Sequence, residues 1–225
     1  MLFRSGQLAF YDWEGDALAP NGKTVANGLR GNDPTALEIS QGNGAAAPGE
    51  TGAGGLSMHQ ALAVTAKVNP YRQSLVLLQA ADADPHHPTS RAARNARFYV
   101  LRDVPALSRA DVANPRASTD PNTGAPDVTF DFTAAGRRAF EALTATVARR
   151  GAVLSRLGQS LDQHFAIAVD DKLISVPYVD FKQYPAGVTG ARGAEMSASF
   201  TRQSAKTLAT LLRYGPLPVK LTSTG

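Results

Sequence analysis

The chain has 225 residues, 43% of them hydrophobic, so it can bury one substantial core or a core with a smaller satellite. Its formal net charge is +4, and its 23 lysines and arginines are scattered along the sequence, which argues against a nucleic-acid-binding stripe. Because cysteine is absent, disulfides, thiolate catalysis and thiolate metal sites are excluded. The longest apolar run, residues 75–78, is far shorter than the ~20 residues of a membrane-spanning helix.

The first segment with a clear pattern is residues 7–13, which are aromatic-rich and β-prone and predict a strand ending at the following Glu-Gly pair. We expect Phe10, Tyr11 and Trp13 to pack in a sheet or core rather than to form a ligand-stacking platform. The N-terminal residues 1–6 lack the apolar core of a signal peptide.

Residues 42–55 are a Gly/Ala-rich insertion, and we expect a flexible segment around residues 40–56 because its side chains have too little bulk to build a core. Its glycines do not predict a phosphate-binding loop, since no Gly-Lys-Ser/Thr follows and no strand precedes them. Residues 58–67 predict a short helix capped by Ser57, with Leu62 and Met58 facing inward.

The middle of the chain is predicted to alternate strands with turns. Residues 73–81 are apolar and short, so both a strand and a buried turn remain open. Alternation and turn-forming residues predict the next elements: a strand over 97–103, a helical turn over 107–112 capped by Ser108, a surface loop over 114–127, and a strand over 128–132 with Val128, Phe130 and Phe132 on one face.

A long amphipathic helix is predicted over residues 134–150, capped by Thr133. Its core face carries apolar residues at helical spacing: Phe140, Leu143 and Val147. Arg149 and Arg150 are expected at the negative end of the helix dipole, and residues 151–162 are expected to form a loop.

The last quarter of the chain begins with a predicted hairpin, with β-prone runs at 165–169 and 173–179 around a tight Asp170-Asp171-Lys172 turn. A third strand is expected near residues 195–200. A helix follows, capped by Thr201 and ended by Gly215 in a left-handed conformation, with an apolar stripe of Leu208, Leu211 and Leu212. Pro216 and Pro218 then favour an extended segment over residues 219–222.

Four of these blocks, in the same order, resemble the large extracytoplasmic domain of the SecD/SecDF protein-export family. They are the hairpin over 165–179, the Phe200-Thr201 approach to the last helix with its Leu-Arg-Tyr-Gly-Pro-Leu-Pro ending, the strand-to-helix junction over 128–136, and the strand over 98–101 with the turn over 107–112. Together they cover about the last 130 residues, and no block would be specific by itself.

The expected fold is α+β, a mainly antiparallel sheet with helices packed on one face. The resemblance implies a head subdomain over residues 15–215 and partial strands of a ferredoxin-like base at 1–14 and 216–225. Because the family's opening base strand is missing from the sequence, we expect exposed edges on these base strands.

The function implied by the resemblance is that of a non-enzymatic component of the bacterial protein-export machinery. The domain would lie on the extracytoplasmic side of the cell membrane and contact unfolded preprotein emerging from the translocon. Its partners would be a SecF-type protein and the Sec channel, and proton flow would be coupled through membrane helices outside this chain. Neither a cofactor nor nucleic acid is implied.

For preprotein contact we predict Tyr178, Phe181 and Tyr184, large aromatic residues beyond the hairpin, although core packing of at least one of them is equally open. The alternative is a free-standing periplasmic ligand-binding or hydrolytic domain with a pocket lined by His164 and acids. The sequence contains no Gly-x-Ser-x-Gly, and the adjacent histidines His86 and His87, flanked by prolines, predict a solvated loop rather than a metal site.

Overall fold

The computed structural model describes residues 3, 5–41, 55–68, 74–80, 97–156, 162–198 and 200–215. Over these residues the chain forms ten strands and six α-helices, which confirms the predicted α+β class. None of the described helices is long and apolar enough to cross a bilayer. The Gly/Ala-rich stretch 42–54, the histidine pair at 86–87 and the extended segment at 219–222 lie outside the described residues.

The larger sheet has seven strands in the order β3-β2-β8-β7-β1-β4, with β9 pairing beside β8 on the same strand β7. All of its pairs are antiparallel except β2 with β8. The strands are β1 Leu8–Asp12, β2 Leu75–Ala80, β3 Phe98–Arg102, β4 Leu107–Ser108, β7 Gln163–Val169, β8 Lys172–Ser175 and β9 Tyr178–Val179.

The smaller sheet has three antiparallel strands in the order β10-β6-β5. They are β5 Val112–Thr119, β6 Pro126–Phe132 and β10 Ala194–Ser197. The helices are α1 Trp13–Asp16, α2 Val25–Arg30, α3 Pro34–Gln41, α4 Met58–Val68, α5 Ala134–Arg156 and α6 Arg202–Tyr214. A 3₁₀ turn, Arg109–Asp111, is capped by Ser108 as predicted.

Strand β7 shows how the core is organised, because all of its seven residues are buried. Since side chains alternate along a strand, Phe165, Ile167 and Val169 join the core shared with the smaller sheet and with α5 and α6. Ala166 and Ala168 join a second core on the opposite face, which contains α2 and α3 residues. The large sheet is therefore covered on both faces, where the sequence predicted helices on one.

Strand β1 is interior to the sheet, which corrects the expectation of an exposed edge at residues 7–13. It pairs with β7 over its whole length, from Leu8 opposite Val169 to Asp12 opposite Phe165, and with β4 on its other side. The division into a base (1–14, 216–225) and a head (15–215) remains a prediction.

Two further expectations, the loop over 114–127 and the inward face of the helix at 58–67, are wrong in detail. Residues 112–119 form a strand where a loop over 114–127 was expected: Asn114 has a positive φ of 50°, and a register shift at this point carries Pro115 past the ladder. Helix α4 buries Ala61, Val64 and Val68, while Met58 and Leu62 are 44% and 56% exposed.

Helix α5 continues to Arg156 instead of ending at residue 150. Gly151 and Leu154 are both buried, so packing against the sheet stabilises two turns that the glycine would otherwise weaken. The predicted core residues Phe140, Leu143 and Val147 are buried, and Thr133 accepts a hydrogen bond from the Gly136 N–H at 3.0 Å as the predicted cap.

Both turns of the last quarter follow the prediction. Asp170 and Asp171 have φ angles of 51° and 59°, the left-handed pair that a two-residue hairpin turn requires. In α6, Thr201 forms a capping box with Ser204, the stripe Leu208, Leu211 and Leu212 is buried, and Gly215 has a φ of 79°.

Candidate functional site

The predicted contact residues lie on and just after β9, the two-residue strand that follows the hairpin. Tyr178 is 59% exposed and Tyr184 is 40% exposed, whereas Phe181 is half-buried and packs against the main core. The structure therefore places the rings of Tyr178 and Tyr184 in solvent, and the ring of Phe181 partly against the core. We call Tyr178, Phe181 and Tyr184 the aromatic segment.

A turn sets the spacing of the aromatic segment. The Asp180 carboxylate accepts hydrogen bonds from the backbone N–H groups of Lys182 and Gln183, at 2.8 and 3.0 Å. The Asp180 carbonyl accepts the Tyr184 N–H at 2.8 Å. These bonds fix the backbone between Phe181 and Tyr184, so Tyr184 is carried on an ordered turn, while Tyr178 lies on strand β9.

Helix α5 holds the far end of this turn. The Thr144 hydroxyl donates to the Phe140 carbonyl at 2.7 Å and accepts the Val188 N–H at 2.8 Å. Gly187, with a φ of 92°, lies so close to the helix that a Cβ would stand 2.5 Å from the Glu141 carbonyl oxygen. Only a glycine can adopt that φ and approach the helix backbone so closely without strain.

The near end of the aromatic segment is backed by a buried ionic network. Strand β9 pairs with the start of β7, Val179 opposite Gln163 and Tyr178 opposite His164. The Gln163 side-chain oxygen accepts from Arg150 Nε at 2.9 Å, and the His164 N–H donates to Glu14 Oε2 at 2.9 Å.

Arg150 is the centre of this network. Its Nη1 donates to Asp12 Oδ2 at 2.8 Å, its Nη2 donates to Asp12 Oδ1, and the same Nη2 lies 3.2 Å from Glu14 Oε2. Burial lowers the pKa of Arg150, but the hydrogen bonds and charges of Asp12 and Glu14 outweigh burial and raise it overall. The guanidinium therefore stays charged and pairs with the fully buried carboxylate of Glu14 and the partly buried carboxylate of Asp12.

Asp16, the last residue of α1, adds a third acid and a second arginine to this network. It accepts the Asp12 N–H at 3.2 Å and pairs with Arg102 Nη2 at 2.9 Å. Burial raises its pKa to about 6, because the loss of water outweighs the attraction of Arg102. Alternate residues of the stretch Asp12 to Asp16 thus supply three acids from one short segment.

Sequence reasoning missed this network and placed Arg150 at a helix end. The available signal was the acids Asp12, Glu14 and Asp16, which occupy every second position from the last residue of strand β1. Their partners Arg150 and His164 are 136 and 150 residues away from Glu14, so no local pattern connects them.

The geometry does not form a hydrolytic site. Ser40 Oγ and His164 Nδ1 both bond to Glu14 Oε1, at 2.9 and 2.6 Å, so the carboxylate separates the hydroxyl from the imidazole that would have to activate it. All three side chains are buried. Asp170 lies past the other end of β7 from His164, roughly 20 Å along a strand of this length, and instead accepts hydrogen bonds from Ser5 and Gln7.

Among the described residues there is also no group of three or more His, Asp or Glu that could hold a metal ion. The chain therefore presents exposed aromatic rings on a rigid two-sheet α+β support. It is an α+β domain whose described surface carries exposed aromatic side chains.

Comparison with known proteins agrees with this class. The model of the family "SecDF, P1 head subdomain" matches residues 86–219, more than half of the chain. The chain belongs to this family, and it carries the periplasmic P1 head subdomain of a SecD-type protein translocase subunit.

Several curated relatives carry the name "Protein translocase subunit SecD". The protein of Rhodobacter capsulatus is 34% identical over 131 residues, 58% of this chain and 20% of the relative. Those of Streptomyces coelicolor and Thermobaculum terrenum are 33% and 30% identical over 54% and 70% of this chain, and 19% and 25% of their own lengths. The chain thus spans about a fifth to a quarter of these relatives.

Among solved structures, the chain is similar to one described as "Structure and function of a membrane component SecDF that enhances protein export". The sequence identity is 18% and the TM-score is 0.45, with 96% of this chain and 66% of that chain covered. A second, "Crystal structure of SecDF in Super-membrane-facing form", has 19% identity and a TM-score of 0.43, over 95% of this chain and 29% of that chain.

Proposed function

We propose that this domain binds unfolded preprotein on the extracytoplasmic side of the cell membrane and so assists protein export. The observation that carries the proposal is the aromatic segment, whose rings Tyr178 and Tyr184 are exposed. The relatives of the chain are named protein translocase subunits, which supports the same function. Membrane helices outside this chain would couple the domain to the proton motive force. A SecF-type protein and the Sec channel are the proposed partners.

The chemistry of the segment suits a sequence-tolerant ligand. A tyrosine ring offers a large apolar face with a hydroxyl at its tip, so it can cover many kinds of side chain and still bond to a backbone amide. Its two side-chain torsions lose little entropy on binding. We expect modest affinity, since two exposed rings and one half-buried ring give a small contact area.

The rigid support is the second argument. Residues 180–188 are tied to α5 through Thr144, and β9 is tied to β7 beside the Arg150 network. A pulling or holding domain must transmit force from the bound chain to its own core, and a contact segment on a loosely held loop would not do so.

The test is binding of an unfolded, non-degradable model polypeptide to the purified chain, measured by fluorescence anisotropy. Tyr178→Ala and Tyr184→Ala are each expected to weaken binding several-fold. Tyr214→Ala is the matched control, because Tyr214 is 70% exposed at the end of α6 and lies away from the segment in the sequence. Equal losses in all three variants, or no saturable binding by the folded chain, would contradict the proposal.

A further inference from the structure

The smaller sheet has a buried carboxyl group, that of Asp127, on the face turned away from the core. Along its central strand β6, Val128, Phe130 and Phe132 point into the main core with residues of α5 and α6. Because side chains alternate, Asp127 and Thr129 face the opposite side. Even there Asp127 is 1% exposed, so its carboxyl group is shielded by its neighbours on the sheet.

The neighbours of Asp127 are known from the register. Ser118 of β5 and Ser197 of β10 lie directly opposite it on its two sides. Glu195 of β10 lies opposite Thr129 and is the diagonal neighbour of Asp127 on the same face, a separation that a glutamate side chain can span. The two carboxyl groups therefore lie on the same face of neighbouring strands, close enough in register to reach each other.

Two carboxylates in contact repel each other unless a proton or a cation lies between them. Asp127 Oδ1 is buried and has no hydrogen-bond partner among the described residues, so neither a backbone N–H nor a basic side chain stabilises its charge there. Glu195 Oε1 accepts a hydrogen bond from the Ser197 hydroxyl at 2.9 Å, which orients the glutamate within the sheet face.

We propose that Asp127 and Glu195 share one proton, and that this pair is a pH-sensitive contact that holds the edge strand β10 against β6. The inference concerns a different surface from the aromatic segment and does not depend on preprotein binding. Strand β10 is suited to such control, because it has four residues and β6 is its ladder partner. Losing the proton would place two negative charges across that short ladder.

The charged surroundings favour the shared proton. Burial is the first cause that raises the pKa of Asp127, followed by the hydrogen bond and charge of Glu195, and the charge of Asp120 in the β5–β6 turn acts in the same direction. The hydrogen bond from Ser118 of β5 acts in the opposite direction and lowers the pKa, and Arg116 of β5 lies opposite Thr129 in the next row of the ladder. On the same face, Asp131 is bonded to Asn114.

Charges on the helices lie further from the pair. Helix α6 packs on the core face of β5 and β6, and its Arg213 guanidinium is bonded to the Pro115 carbonyl at the other end of β5. Arg137, Arg138 and Glu141, in the first half of α5, are exposed on that helix.

The sign of the effect follows from the raised pKa of Asp127. Attachment of β10 is favoured at low pH, where the proton is present, and is weakened as pH rises above the ordinary aspartate range of about 4 toward the raised pKa. Over that window, the protection of β10 amides against hydrogen exchange falls by up to about tenfold per pH unit.

The experiment is hydrogen exchange of the β10 amides between pH 4 and 7, corrected for intrinsic exchange rates, with carbon-13 NMR titration of the Asp127 carboxyl. In the wild type, protection falls with pH and the Asp127 midpoint lies above its ordinary value. Glu195→Gln lowers the midpoint and reduces the pH dependence, while the burial of Asp127 preserves part of both. Asp131→Asn, on the same face but outside the pair, leaves both unchanged.

Three results would overturn the proposal. One is protection of β10 that does not change with pH in the wild type. Another is a Glu195→Gln variant with the same pH dependence as the wild type. The third is a selective gain in β10 protection when CaCl₂ is added at neutral pH, absent in Glu195→Gln, because the two carboxylates would then be a divalent-cation site.

Discussion

Tyr178 on β9 lies directly opposite His164 on β7, so an exposed aromatic ring and a buried imidazole occupy one rung of the same ladder. The imidazole is bonded to Glu14 at 2.6 Å, and Glu14 is paired in turn with Arg150 of α5. The surface proposed to contact preprotein is thus connected to the Arg150 network through the single residue pair Tyr178–His164.

Loss of the arginine at the centre of the network should strongly destabilise the fold. Arg150→Ala leaves the fully buried carboxylate of Glu14 and the partly buried carboxylate of Asp12 without their cation, and we expect the free energy of unfolding to fall by about 3–5 kcal/mol. Arg149→Ala is the matched control on the same helix: Arg149 is exposed and bonds to Thr146, so its removal should cost less than about 0.5 kcal/mol. Urea unfolding of both variants measures the difference, and equal losses would contradict the account.

The tether between α5 and the aromatic segment can be tested by removing one hydroxyl. Thr144→Val keeps the shape of the side chain but leaves the Val188 N–H without its acceptor, at a cost of about 1–3 kcal/mol. Thr146→Val is the control, because the Thr146 hydroxyl bonds to Ala142 of its own helix and is exposed.

Beyond stability, Thr144→Val should increase hydrogen exchange in residues 180–188 and weaken binding of the model polypeptide, while Thr146→Val should do neither. Unchanged exchange in Thr144→Val would show that the bond does not order the segment.

The pKa of Asp16 predicts a pH dependence with a definite sign. Burial raises this pKa from 3.8 to about 6, so ionisation is less favourable in the folded than in the unfolded chain. Stability associated with Asp16 is present below pH 4 and is lost as pH rises through about 6, by at most about 1.4 kcal/mol for each unit of the shift.

Asp16→Asn should remove this contribution, so the difference in unfolding free energy between variant and wild type should change between pH 4 and 6.5 and level off above it. Asp171→Asn, which removes an exposed acid from the hairpin turn, controls for the loss of one charge. A constant difference for Asp16→Asn over the whole range would contradict the prediction.

Much of the fold could be predicted because its signals are local. The hairpin over 165–179, the caps Thr133 and Thr201 and the stripe of α6 follow from turn chemistry and periodicity. Where tertiary contacts decide, prediction from sequence was wrong. Pro115 and Asn114 suggested a loop, but a bulge accommodates both in β5.

The candidate site divides in the same way. The exposure of Tyr178 and Tyr184 could be predicted because neither ring has an obvious strand or helix partner in the sequence, whereas Phe181 packs against the core; their role in preprotein contact stays a prediction. The Arg150 network and the Asp127–Glu195 pair could not be predicted. Arg150 lies 138 and 136 residues from Asp12 and Glu14, and Asp127 and Glu195 are brought together only by the register of β6 and β10.

The most direct test of the central claim is photo-crosslinking to an arrested preprotein during export. A photoreactive amino acid is placed in turn at Tyr178, at Tyr184 and at the exposed control Tyr214 of the full-length translocase subunit. The account predicts crosslinks to the translocating chain from positions 178 and 184 and none above background from 214. Crosslinks of equal yield from all three positions, or from 214 alone, would contradict it.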